Sequence, residues 1–140
     1  MSGSRCWATV PQRASPVQIE FRQTNSEAQM IDWIHEAIED GGGIIVNPAA
    51  FTFTSIAILD ALKMFPGPII ELHISNIHRR EEMYHHSLVS KTATAVIAGL
   101  GANGYRVAVG AMKELIGGAE KGEQKRPPRG GGPIRLTRRP

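Results

Sequence analysis

The hydrophobic positions of the chain alternate between short apolar runs and longer amphipathic stretches. Four runs have the length and pattern of strands: Val17–Phe21, Ile44–Val46, Ile69–Ile74 and Ala93–Ala98. Segments 26–40, 54–64 and 105–116 repeat apolar residues at helical spacing. Strands that alternate with helices and are largely apolar predict an α/β domain, with a parallel sheet covered by helices on both faces.

Polar residues at the segment ends agree with these boundaries. Ser26 followed by Gln29 has the spacing of a capping box, and Thr54 or Ser55 can cap the second helix. The three glycines at 41–43 are expected to end the first helix. Both helices are therefore predicted to start from a hydroxyl side chain.

Two polar clusters lie where strands of the predicted sheet end. Asn47 directly follows Ile44–Val46, and Glu71, His73 and Ser75 share one face of the next strand by its period of two. Ligands of parallel α/β sheets bind beyond the carboxyl ends of the strands. His73 is therefore a candidate general acid that Glu71 could orient, although a histidine satisfied within the core has the same sequence pattern.

Glycines 99, 101 and 104 have the G-x-G-x-x-G spacing, after a predicted strand and before a predicted helix. This spacing is typical of a dinucleotide site. It is equally typical of a tight strand-to-helix turn, in which glycine allows close packing. We favour the turn, because no second strand ending in an acidic residue follows the helix.

Four histidines lie close together in the sequence, namely His73, His78, His85 and His86. A metal site is not favoured, because no cysteine accompanies them and no helical pair of histidines has a third ligand in reach. Cys6 is the single cysteine, which excludes an internal disulfide and a multi-cysteine zinc site. We expect a cytoplasmic protein with no membrane partner, since no apolar run approaches the ~20 residues of a membrane helix.

The basic charge of the chain is concentrated in residues 117–140. These carry seven Lys or Arg and two Glu, a net charge of +5, whereas residues 1–116 carry nine Lys or Arg and eleven Asp or Glu, a net charge of −2. Ten of the last 24 residues are Gly or Pro, which predicts a disordered tail. Nucleic acid is not the favoured partner, because no aromatic residue interleaves the charges to stack on bases.

A further set of segments, spread over about residues 17–116, carries a family resemblance. They are Phe21–Glu27, Asp32–His35, Ile45–Pro48, Thr52–Ser55, Ile70–Glu82, His86–Ser87 and Gly99–Tyr105. Together they resemble the type II 3-dehydroquinate dehydratases, also called type II dehydroquinases. The resemblance implies a flavodoxin-like fold, a homododecamer and no cofactor.

The resemblance also implies an activity. Members of this family are lyases that remove water from 3-dehydroquinate by anti elimination through an enolate, which gives 3-dehydroshikimate. The reaction belongs to the shikimate pathway, towards chorismate and the aromatic amino acids, or to quinate catabolism. The expected partners are therefore this small-molecule substrate and further copies of the chain.

Site residues follow from the resemblance position by position. His73 matches the histidine that protonates the leaving hydroxyl, and Glu71 matches its supporting carboxylate. Asp60 matches an acidic residue that reaches a neighbouring subunit's site. The positions that match substrate-binding residues are Asn47, Ile74, Ser75 and Arg80. No metal is implied.

The chain departs from the family pattern at its start and at three internal positions. Met1–Pro16 does not resemble the family's first strand and lid loop, and it contains neither the tyrosine base nor a matching arginine partner. Phe53 stands where a substrate-binding histidine is usual, and Leu59 and Tyr84 stand where arginines are usual. The alternative function is therefore a catalytically dead or truncated homologue that only self-associates or binds ligand weakly.

The same departure affects the predicted sheet. The unmatched strand is the first and central one, so the sheet is expected to lack it, which would expose unpaired edges and weaken a dodecamer. Residues 6–10 could form a substitute strand, but Pro11–Pro16 is too short for a parallel crossover, so at best they form an antiparallel hairpin with Val17–Phe21. The predicted organisation is an unmatched segment at 1–16, a dehydroquinase-like domain at 17–116 and the tail at 117–140.

Overall fold

The structure is a computed structural model that describes residues 5–11, as backbone, and residues 17–119. Its strands are β1 (Arg5–Pro11), β2 (Glu20–Thr24), β3 (Gly41–Asn47), β4 (Ile69–His73) and β5 (Ala95–Ala98). Its α-helices are α1 (Glu27–Asp40), α2 (Phe51–Thr54), α3 (Ile56–Lys63) and α4 (Asn103–Ala119). Short 3₁₀ helices cover Ile77–Arg79, Glu82–Tyr84 and Val89–Lys91.

Strands β3, β4 and β5 form the parallel part of one five-stranded sheet. β3 pairs with β4 and β4 with β5, both in parallel register. One apolar cluster lies between the sheet and helices α1 and α3, and a second lies between the opposite face and α4. The predicted α/β fold with helices on both faces is confirmed.

β1 lies inside the sheet, between β2 and β3, in the strand order β2-β1-β3-β4-β5. It is antiparallel to both neighbours: Ala8 lies opposite Phe21 on β2 and opposite Ile45 on β3. The antiparallel hairpin is confirmed, and the expectation of a missing central strand is wrong. Reversing the strand allows a short connection to join it to its neighbour, where a parallel strand needs a crossover of a dozen or more residues.

Several boundaries differ from the sequence prediction. β2 begins at Glu20, three residues later than expected, where its pairing with Thr9 of β1 begins. The glycines at 41–43 follow α1 as expected, but they also form the first part of β3. α4 continues to Ala119, three residues into the predicted tail; residues 120–140 lie outside the described part of the chain.

Local capping and turn chemistry follow the sequence closely. The Ser26 hydroxyl accepts a hydrogen bond from the Gln29 backbone at 3.2 Å, and Ser55 caps α3 in the same way. Gly99 and Gly101 have φ angles of 87° and 61°, a region that favours glycine. A Cβ on Gly104 would lie 2.9 Å from the Leu72 side chain. The glycine spacing thus serves a tight, closely packed turn.

Across the residues that the structure describes, no helix is both long and apolar enough to span a membrane.

The central position of β1 makes a testable prediction. Ala8→Pro should destabilise the protein strongly, because proline removes a backbone donor and is not tolerated inside a central strand. The measurement is the free energy of unfolding in urea. Ala8→Ser keeps the N–H group and is the control. Equal stability of Ala8→Pro and the unsubstituted chain would mean that β1 does not pair on both sides.

Candidate active site

A buried carboxylate and imidazole lie at the carboxyl end of β4. Glu71 is fully buried and His73 is 4% exposed, and His73 Nε2 lies 2.6 Å from Glu71 Oε1. The strand period of two places both side chains on the same face of the sheet. The structure therefore brings together the two residues that the sequence predicted as general acid and supporting carboxylate.

Two serines complete the surroundings of Glu71. Ser87 Oγ donates to Glu71 Oε1 at 2.6 Å, and Ser90 Oγ donates to Glu71 Oε2. Burial alone would raise the pKa of Glu71, because it removes water from the charged form. The hydrogen bonds from His73, Ser87 and Ser90 favour the carboxylate and together lower the pKa of Glu71 below its usual value.

A row of aromatic contacts runs from His73 to Arg80. The Phe53 ring, on α2, stacks on the His73 imidazole with centroids 6.2 Å apart and planes 22° apart. Tyr84 meets Phe53 edge-on at 5.3 Å. The Arg80 guanidinium carbon lies 3.8 Å from the centre of the Tyr84 ring, which is a cation–π contact. Two residues that depart from the family pattern, Phe53 and Tyr84, thus link the predicted acid to a predicted substrate-binding arginine.

Asn47 ends β3 and is almost fully buried. Its Nδ2 donates to the Tyr105 hydroxyl at 3.3 Å, and its Oδ1 accepts from the backbone N–H of Ala49 at 3.2 Å. Tyr105 belongs to α4, which covers the face of the sheet opposite to that of α3. Asn47 therefore lies at the same sheet edge as His73, but its hydrogen bond is made on the other face.

The two positions after His73 lie at the surface. Ile74 is 46% exposed and Ser75 is exposed. The glycine turn anchors this backbone, because Gly101 N donates to the Ile74 carbonyl at 3.0 Å and Gly99 N donates to that of His73 at 3.2 Å. These positions are accessible to a ligand at the carboxyl edge of the sheet.

Asp60 lies apart from the buried pair. It is exposed on α3, and its carboxylate is 3.8 Å from Lys63 Nζ. The role that the resemblance implies for Asp60, at a neighbouring subunit's site, stays a prediction.

Neither metal ligands nor cavity size locates the site. In the described ranges, no group of three or more His, Cys, Asp or Glu is arranged to hold a metal ion. Two grooves, of about 710 and 420 Å³, border β2, one beside α1 and the other beside α4, and Glu71 and His73 line neither. The chemistry of the buried pair is therefore the stronger indication of where a ligand reacts.

Three residues of this region, Ser87, Ser90 and Tyr105, were not predicted from the sequence. Ser87 and Tyr105 lie within segments that carried the family resemblance, but their partners are 16 and 58 residues away in the sequence. No local pattern indicates such contacts.

The strand order 2-1-3-4-5 is that of flavodoxin-like folds, here with β1 reversed, and His73 lies at the carboxyl end of a parallel strand, where such folds bind ligands. The family described as Dehydroquinase class II matches residues 5–113, and the chain belongs to this family. The match begins at Arg5, the first residue of β1, inside the segment 1–16 that the resemblance does not cover.

Individual relatives agree with the family assignment. The 3-dehydroquinate dehydratase 2 of Agrobacterium fabrum is 59% identical over 92 residues, which cover 66% of this chain and 63% of that protein. The 3-dehydroquinate dehydratase 2 of Pseudomonas putida is 52% identical over 103 residues, or 74% and 69% of the two chains. The type II dehydroquinase structure from Propionibacterium acnes is 50% identical, with a TM-score of 0.63, over 65% of this chain and 67% of that one.

The chain spans only part of these relatives, 63% of the Agrobacterium protein and 58% of a 3-dehydroquinate dehydratase from Bartonella bacilliformis.

The lowered pKa of Glu71 predicts how stability depends on pH. Because the folded-state pKa lies below the unfolded value of about 4.5, the stabilisation is complete above that value and is lost as pH falls through the folded pKa. Glu71→Gln should lower the free energy of unfolding near neutrality by about 1–3 kcal/mol and weaken its dependence on acidic pH. Urea unfolding at several pH values measures both effects.

Glu39→Gln, on the exposed surface of α1, controls for the loss of one surface charge. A pH dependence of Glu71→Gln that parallels that of the unsubstituted chain would contradict the assignment of Glu71 as the linked group.

Proposed function

We propose that this chain acts on 3-dehydroquinate as a lyase, removing water to give 3-dehydroshikimate. The single observation that carries the proposal is the buried pair of Glu71 and His73, with His73 Nε2 2.6 Å from Glu71 Oε1. The pair lies at the carboxyl end of β4, within the part of the chain that the family model matches. Relatives that are 48–59% identical bear the name 3-dehydroquinate dehydratase, which supports the same substrate.

In the proposed reaction His73 protonates the leaving hydroxyl as it departs from the enolate. A positioned general acid contributes typically 10²–10⁴-fold to such a rate. Glu71 is ionised and buried, so it orients the imidazole and offsets the positive charge that the ring carries before it donates its proton. This division of roles needs no cofactor.

Substrate contacts belong to the same proposal. Ile74 and Ser75 bind the carboxylate through backbone N–H groups and a hydroxyl, Asn47 holds a water or hydroxyl near the enolate, and Arg80 binds a further hydroxyl. Of these, Arg80 is held on Tyr84, at the end of the row that starts at His73. The stacked Phe53 supports the face of the imidazole, whereas Glu71 contacts its Nε2.

A second candidate function is a relative that binds ligand or self-associates without turnover. It is supported by the lack of a matching tyrosine base. The chain has two tyrosines, Tyr84 and Tyr105, and neither lies in the first 16 residues, where the resemblance would place the base. Tyr105 is engaged with Asn47, and Tyr84 is covered by Arg80.

Pathway, assembly and location complete the proposal. A product that is an enone acid fits the shikimate pathway, and quinate catabolism uses the same reaction.

Exposed Asp60 fits a contact with a neighbouring subunit in a homododecamer. The mass of the assembly can be measured by size-exclusion chromatography with light scattering. The expected location is the cytoplasm.

Turnover separates the two candidate functions. We expect this chain to convert 3-dehydroquinate about 10²–10⁴-fold more slowly than the Agrobacterium relative, because a positioned tyrosine base is not matched. His73→Ala should remove the residual rate. The measurement is the ultraviolet absorbance of the conjugated product.

His35→Ala, on the exposed face of α1, is the matched control and should keep the rate. Undetectable turnover in the unsubstituted chain would favour the binding function. Equal losses in the two histidine variants would remove His73 from the proposed mechanism.

A further inference from the structure

The segment 87–90 closes over the carboxylate of Glu71. Ser87 Oγ donates to Oε1 at 2.6 Å, the oxygen that His73 Nε2 also approaches at 2.6 Å, and Ser90 Oγ donates to Oε2. Both carboxylate oxygens of Glu71 therefore have a hydroxyl partner, and the Glu71 side chain itself is not exposed to water.

The direction of each hydrogen bond follows from the donors available. Ser87 Oγ already accepts the backbone N–H of Ser90 at 3.0 Å, so its own proton is free to point to Glu71. An ionised carboxylate only accepts hydrogen bonds. Glu71 Oε1 must then accept a hydrogen bond from His73 as well, so Nε2 carries hydrogen and Nδ1 is the nitrogen that Glu71 does not contact.

The serines are themselves fixed to the helix that covers the imidazole. Leu88, which lies between them in the sequence, donates its N–H to the Thr52 carbonyl at 2.9 Å. Thr52 precedes Phe53, whose ring stacks on His73. One backbone contact thus joins the support of the carboxylate to the support of the imidazole.

We propose that Ser87 and Ser90 are positioning residues: they hold Glu71 ionised in one orientation and, through it, present His73 with Nε2 protonated. Nδ1 is then the nitrogen that exchanges a proton with the ligand. The identity of that ligand rests on the proposed function, whereas the arrangement of hydrogen bonds does not.

Nitrogen NMR of the chain, with isotope-labelled histidine, tests the arrangement without turnover. His73→Gln identifies the His73 signals among the five histidines. The unsubstituted chain, at a pH where the ring is neutral, should show His73 as the Nε2–H form. The Ser87→Ala/Ser90→Ala variant should show a mixture of both forms, and Ser87→Thr/Ser90→Thr, which keeps both hydroxyls, should restore the single form.

Kinetics give the second measurement. Each serine-to-alanine change should lower kcat about tenfold with little change in KM, because a hydrogen bond to a charged group is lost while substrate contacts remain. The threonine variants should recover kcat. If the double alanine variant does not fold, the single variants decide, since each leaves Glu71 two of its three donors.

The outcomes separate the two proposals. A His73 signal in the Nδ1–H form, or an unchanged Nε2–H form in the folded alanine variants, overturns the role of the serines. Absence of turnover together with the expected NMR changes overturns the proposed function and leaves the positioning role supported.

Discussion

The structure around the site depends on one constraint, the burial of a negative charge on Glu71. An ionised carboxylate out of water is stable only when donors satisfy its oxygens. Here the donors come from β4 itself and from the segment after the 3₁₀ helix Glu82–Tyr84. The charge thereby links the segment 87–90 to β4, and the His73 imidazole takes part in the same hydrogen bonds.

Parts of the fold that depend on residues close together in the sequence could be predicted from the sequence. The caps at Ser26 and Ser55 use the backbone three residues away, and the apolar runs of β3 and β4 show burial on both faces. The antiparallel hairpin of β1 with β2 was predicted, because the two strands are close in the sequence. The pairing of β1 with β3 on its other side was not predicted, because these residues are 30 or more positions apart and no local pattern indicates the contact.

The site divides in the same way. Glu71 and His73 were found because the period of a strand places residues two apart on one face. Ser87, Ser90 and Tyr105 were missed because loops and a helix bring them from distant parts of the sequence. The aromatic row also escaped prediction, since Phe53 and Tyr84 stand out in the sequence only as departures, and it is their packing that gives them a joint role.

The reversed direction of β1 changes which end of the strand lies at the edge of the sheet where β3 and β4 end, the edge that carries Asn47 and His73. Cys6, near its start, lies opposite Asn47, whereas Pro11, at its end, lies opposite Gly41 at the far edge of the sheet. In a parallel central strand the loop that follows would emerge beside Asn47. Here the strand ends at Pro11, at the opposite edge, and its first residues lie beside Asn47. Chain polarity, and not only strand position, thus decides which end of a strand lies at the edge that carries His73.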